Sequence, residues 1–230
     1  MGLFDFFKKP AAPKQAGPVS VDGPYQDGST NLIYQLLFCD NIELYKSSTQ
    51  QPYSYPFNVL FSEASTPADL QQLIDDPAAD PRVKVLAYNR QLAIGHPPGK
   101  KEILAVIVEV GLDRGLDVLA SFQDGTARYI NQTGKILIWE TTTDAQTNEL
   151  TSDLFIKSQQ VVDQIGPWNK PRRPPPATGN ARISFLVSDG LYFGEAPSDV
   201  LFKDQLAAPA LMCAAQLMQY ITERSLQSRK

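Results

Sequence analysis

The chain reads as an α+β protein, an antiparallel β-meander plus a C-terminal hairpin with helices covering the sheet as a layered sandwich. Three observations predict it. From Glu102 to Glu140 apolar runs alternate with turn signals at Gly111–Gly115, Asp124-Gly125 and Asn131–Gly134, residues that tolerate the positive φ of tight connections. Ser188-Asp189-Gly190 separates two further apolar runs, Arg182–Val187 and Leu191–Gly194, as a hairpin. Ile103–Val108 and Ile136–Trp139 are apolar at both parities, so some strands are buried on both faces and need cover on both sides.

The elements follow in order. Residues 1–28 read as a flexible N-terminal segment. Pro10–Gly28 is rich in Pro, Ala, Gly and Gln, a composition that does not offset its own ordering entropy. Residues 29–230 read as a single α+β domain. Ser29 or Thr30 is expected to cap a helix to about Lys46, because Leu32, Ile33, Leu36, Leu37, Phe38, Ile42 and Tyr45 recur near helical spacing. Phe57–Phe61 is at best a short strand. Thr66-Pro67 and Asp80-Pro81 each place a capping side chain before a proline suited to a first helical turn, which predicts helices over Pro67–Asp75 and Pro81–Ile94. After the meander, Leu150, Leu154, Val161 and Ile165 form the stripe of a helix from Thr147 to Ile165. A basic, proline-rich extended loop is expected at 167–180, and a last helix from Ala208-Pro209 to about Glu223.

The net charge of −4 gives no global attraction to nucleic acid or anionic lipid. Cys39 and Cys213 both sit in apolar helical patterns and read as small hydrophobes rather than a disulfide pair. No run approaches the roughly twenty apolar residues of a membrane span, and no signal peptide is legible, so the expected location is cytoplasmic, peripheral to a membrane where the N-terminus docks on one.

Catalytic motifs fail on inspection. His96, the one histidine, stands in the helix-ending turn Gly95-His96-Pro97-Pro98, and no G-x-S-x-G or G-x-G-x-x-G occurs. Gly95–Lys101 is one spacer short of a phosphate loop and lacks its Ser or Thr. Two cysteines and one histidine are too few and too scattered for zinc, and Asp124, Glu140, Asp189 and Glu195 sit where acids ordinarily make local turn bonds. No metal and no cofactor is therefore expected.

Adhesive segments are the positive signal. Leu3, Phe4, Phe6 and Phe7 beside Lys8 and Lys9 form an apolar-basic tip suited to a protein groove or a membrane surface. Trp168, Lys170, Arg172 and Arg173, with Arg182 beyond them, form a basic loop with no acid close in sequence. Arg128 is a further candidate contact, its ordinary role being a pair with Glu109 or Glu140 while Tyr129 faces the opposite side. The leading expectation is a non-catalytic protein that binds a protein or membrane surface. The first alternative is a hydrolase or transferase with a carboxylate site at strand ends, Asp124, Arg128, Asp189 and Glu195. The second is a subunit of a homo-oligomer, paired through a sheet edge or the last helix.

Overall fold

The computed structural model describes residues 23–227. In chain order the elements are α1 (Gly28–Leu36), α2 (Ile42–Ser48), α3 (Phe57–Leu60), α4 (Pro67–Asp75), α5 (Pro81–Ala93), β1 (Ile103–Leu112), β2 (Gly115–Phe122), β3 (Ala127–Ile130) and β4 (Ile136–Trp139). They continue with α6 (Ala145–Val162), β5 (Asn180–Val187), β6 (Gly190–Pro197), α7 (Ser198–Leu201) and α8 (Ala208–Gln227). The six strands form one antiparallel sheet in the order β4-β3-β2-β1-β5-β6. This is the α+β layered arrangement expected from the alternating turns and double-parity apolar runs.

Parity divides the core. Ile107, Val118, Ala120, Phe122 and Leu186 point to one face and pack under α1–α5, joined by Tyr34, Leu60, Leu70 and Leu86. Val106, Val108, Ile183, Phe185 and Val187 point to the other, beneath α6 and α8, where Leu154, Ala210, Leu217 and Ile221 meet them. Tyr220 and Arg224 of α8 reach back to Asp144, the N-cap of α6, so these two helices run antiparallel. A central strand such as β1 thus buries both its faces, which is why it carries almost no polar residue.

Local chemistry overrides the periodicity at three places. The helix expected over 30–46 is two helices: Asp27 caps the first and Asn41 the second, with Cys39 at φ 52 between them. Asp40-Asn41 interrupts the apolar run with side chains that cap better than they propagate. Phe57–Leu60 is a helical turn rather than a strand, held by Phe57 stacked on Phe61 at 5.2 Å and by buried Leu60. The tether read to Gly28 also ends earlier, because Tyr25 is buried and its hydroxyl donates to the Leu116 carbonyl at 2.9 Å. The short α7 was not anticipated.

The capping chemistry read at Thr66 and Asp80 is present. Thr66 and Asp69 form a reciprocal capping box. Asp80 accepts from the Arg82 amide and makes a two-pronged pair with the Arg82 guanidinium, at 2.9 and 2.8 Å. Burial alone would raise the Asp80 carboxyl, but Arg82 outweighs it and holds the group below the usual carboxylate value. Asp80→Asn is expected to cost about 3 kcal/mol at neutral pH, since it strands the buried Arg82 charge. The loss should be complete above the unfolded carboxylate pKa of about 3.9 and should vanish as pH falls through the depressed folded value. Urea unfolding of both proteins across that range checks it.

Candidate functional site: a strapped charge ladder and a sheet-end cleft

Strand register builds the first constellation. Glu109 of β1, Arg182 of β5 and Glu195 of β6 are opposite one another in successive pairs, so acid, base and acid stand in one row on the α1 side of the sheet. Glu109 is fully enclosed, Arg182 nearly so. Arg182 donates to Glu195 at 2.9 Å and to Glu109 at 3.4 Å, while the Tyr34 hydroxyl donates to Glu109 at 2.7 Å. Burial pushes the Glu109 carboxyl up, with Arg182 and Tyr34 pulling it back.

The proline-rich segment after α6 crosses this row as a strap. Its Arg173 and Pro174 carbonyls accept from Arg182, the Trp168 amide donates to the Leu191 carbonyl, and the Trp168 ring packs edge-on against Phe193 at 5.1 Å. Arg172 lies 3.8 Å over the Phe38 ring, donates to Asp40 at 2.7 Å and also bonds Gln35. Arg173 pairs with Glu195 at 3.5 Å. No acid is close to these side chains in sequence, and the acids they meet come from strands and helices remote in sequence. Lys170, whose ammonium sits over the indole ring at 5.5 Å, stays at the surface with the half-exposed Arg173, while Trp168 itself is half-buried.

Arg128 is corrected as a contact residue. Its side chain is completely buried and pairs with Glu140, the second of the two acids named for it, while the Tyr129 hydroxyl donates to Asp117 on the other side at 3.0 Å. Burial and the neighbouring Arg82 guanidinium bring Arg128 down to about 10, so it stays protonated at neutral pH and serves the core.

The strand-end carboxylates do not share a pocket. Asp124 and Asp189 belong to the β2–β3 and β5–β6 turns, three strand spacings or about 14 Å apart along the same sheet end. Asp124 accepts from the Thr126 amide and hydroxyl, Asp189 accepts from Tyr192, and Glu195 belongs to the ladder on edge strand β6. Among the described residues no group of three or more His, Cys, Asp or Glu is placed to hold a metal, and no helix is long and apolar enough to cross a membrane. The tip residues Leu3, Phe4, Phe6 and Phe7 lie outside the described residues.

A broad concavity lies beside the strand ends, and Asp124 is the one sequence candidate that lines it. Helix α6 traverses the sheet end, from Asn148 beside Gly125 of the β2–β3 turn to the Val162 carbonyl, which accepts from Lys101 just before β1. Gly125 sits at φ +86, a turn conformation that glycine adopts without strain, and the tip of the Asn148 side chain lies 2.6 Å from where a Cβ would stand. Between the helix and the strand ends opens a cleft of about 600 Å³, a volume in the range of ligand sites. One face of α6 lines it at helical spacing with Asn148, Thr151, Ser152, Phe155, Ile156 and Gln159, facing Lys100–Ile103 and Gln123–Gly125. Thr151 is buried with its hydroxyl unpartnered, and Ile156 is 56% exposed. The sequence signal was available: opposite the apolar stripe, this helix face carries uncharged Asn, Thr, Ser and Gln where a solvated helix usually carries charge.

Compared with known proteins, the chain matches no protein-family model and no curated sequence.

Proposed function

We propose that this protein works by binding a partner polypeptide, with the sheet-end cleft as its contact surface. One observation carries the reading: a whole face of α6, rich in uncharged hydrogen-bonding groups around the exposed Ile156 and half-buried Phe155, is left open above the strand ends. Such a mixture of an apolar anchor with amide and hydroxyl groups suits a peptide, whose backbone offers a donor and an acceptor at every residue. The dispersed acids at Asp124, Asp189 and Glu195 offer the hydrolase or transferase reading no common pocket. Both cysteines are free thiols, in keeping with a reducing, cytoplasmic setting.

Ile156→Glu tests the proposal, because so exposed a side chain contributes little to folding and the exchange should shift stability by no more than about 0.5 kcal/mol. Ala68→Glu, at an exposed position of α4 in the opposite layer, is the control. Affinity purification from the native host should recover the same partner with wild type and Ala68→Glu and lose it with Ile156→Glu. Equal recovery by all three proteins would remove the cleft from consideration.

A further inference from the structure

We infer that a second copy of this chain pairs with the free edge of β4, joining two sheets across a two-fold axis on which Leu137 meets its own counterpart. The ladder phase comes first. Asn131 donates its amide to the Lys135 carbonyl at 3.0 Å, so in the β3–β4 register Tyr129 with Leu137 and Ala127 with Trp139 are the pairs that exchange backbone bonds. The Phe122 amide, on the Thr126 carbonyl at 2.9 Å, sets the β2–β3 ladder in the alternate phase, as a strand shared by two ladders requires. Ile136 and Ile138 therefore turn their amides and carbonyls away from β3, and no described residue bonds them.

The two edges of the sheet differ. β6 meets the strap, whose Trp168 amide occupies the Leu191 carbonyl at 2.6 Å, and it ends at Pro197. Ile136–Trp139 carries no proline, bulge or charge, the usual guards of an edge. All its side chains are large and apolar, and none is fully buried; Ile138 is 39% exposed.

The side chains choose the occupant. Two β4 strands related by a two-fold axis exchange bonds only between outward residues, so three registers keep them overlapped: Ile136 on Ile136, Ile136 on Ile138, or Ile138 on Ile138. The first sets Gly134 against Ile138, and the third sets Glu140 against Ile136. The second pairs Ile136 with Ile138 on one face and Leu137 with Leu137 on the other, and brings Lys135 against Trp139 of the other copy. Lys135 is exposed with no ion-pair partner among the described residues, and an indole ring attracts such a cation. The strand thus complements itself in both apolar contact and charge. So short a contact falls below the roughly 1,200–2,000 Å² of a stable interface, which makes the pair weak and concentration-dependent.

Analytical ultracentrifugation of the full chain should show the mean mass rising toward twice the monomer's between about 10 µM and 1 mM. Ile138→Pro removes an outward amide while keeping the bonds to β3, and should abolish the rise with the circular dichroism spectrum unchanged. Ile138→Lys should abolish it by charge, whereas Ile156→Glu in the cleft should leave it intact. Leu137→Cys with Cys213→Ser should form a disulfide between copies under mild oxidation, since the other registers hold these Cβ atoms beyond disulfide reach. The Ile138 amide should gain protection from hydrogen exchange as concentration rises. A wild-type chain that stays monomeric over the whole range would overturn the inference, and a protected Ile138 amide in that monomer would assign the edge to a segment of the same chain. Dimers that survive both Ile138 variants would place the interface elsewhere, and dimers without the Leu137→Cys cross-link would overturn the register.

Discussion

Arg182→Met is expected to cost about 3–5 kcal/mol of folding stability, the range for leaving a buried charge without its partner. The size follows from how many groups one guanidinium serves. Glu109 has no exposure, and Arg182 is its one ion-pair partner within 4 Å among the described residues; Glu195, only 10% exposed, keeps a more distant Arg173 at 3.5 Å. The same side chain holds the Arg173 and Pro174 carbonyls of the strap, so the substitution also leaves both carbonyls without this donor. Methionine preserves much of the bulk, so the loss measures charge and hydrogen bonding rather than a cavity.

The double variant separates the two contributions. Glu109→Gln with Arg182→Met removes the buried anion together with its cation, leaving Tyr34 an uncharged acceptor. It should be more stable than Arg182→Met alone, and the coupling from a urea-unfolding cycle should exceed about 1 kcal/mol. Simple additivity of the two single losses would mean that the ladder is not an energetic unit.

That ladder shows where sequence reading succeeds and where it stops. Glycine and Asn or Asp at Gly111–Gly115, Asp124-Gly125 and Ser188–Gly190 act locally, so the hairpins were legible, as were the helices begun by Thr66-Pro67 and Asp80-Pro81. The break at Asp40-Asn41 was local too, but the apolar periodicity on either side obscured it. Glu109 and Arg182 are 73 residues apart, and their meeting depends on β1 pairing with β5 in one register. Arg182 was therefore grouped with the basic loop it follows in sequence, not with the acid it faces in space. A charge inside an apolar strand such as ILAVIVEVGL was nevertheless a sign of an interior partner. The cleft was hidden for a different reason. The composition of α6 shows an uncharged polar face, but only the passage of the helix across the strand ends gives that face an opposite wall.

Gly111→Ala is expected to cost about 1–3 kcal/mol, an overpacking penalty, and to loosen the strap selectively. A Cβ at Gly111 would stand 2.3 Å from the Ala177 carbonyl oxygen and 2.8 Å from that of Pro176. Both are backbone atoms, so no rotamer change relieves the contact; the strap must lift or β1 must shift. β1 is held by strands on both sides and by packing on both faces, whereas the strap is fixed by a few hydrogen bonds, so the strap should move. The amide of Gly179, which donates to the Gly111 carbonyl at 2.9 Å, should then exchange its hydrogen faster while amides in the middle of β1 keep their protection. Gly99→Ala is the matched control, since nothing lies within 4 Å of its Cβ position. If the strap is held jointly by close approach at Gly111 and by the carbonyls on Arg182, the combined loss in Gly111→Ala with Arg182→Met should fall short of the sum, because a strap already lifted has nothing further to lose. Unchanged exchange at Gly179 in Gly111→Ala would place the accommodation in β1 and contradict the ranking of the two segments' rigidity.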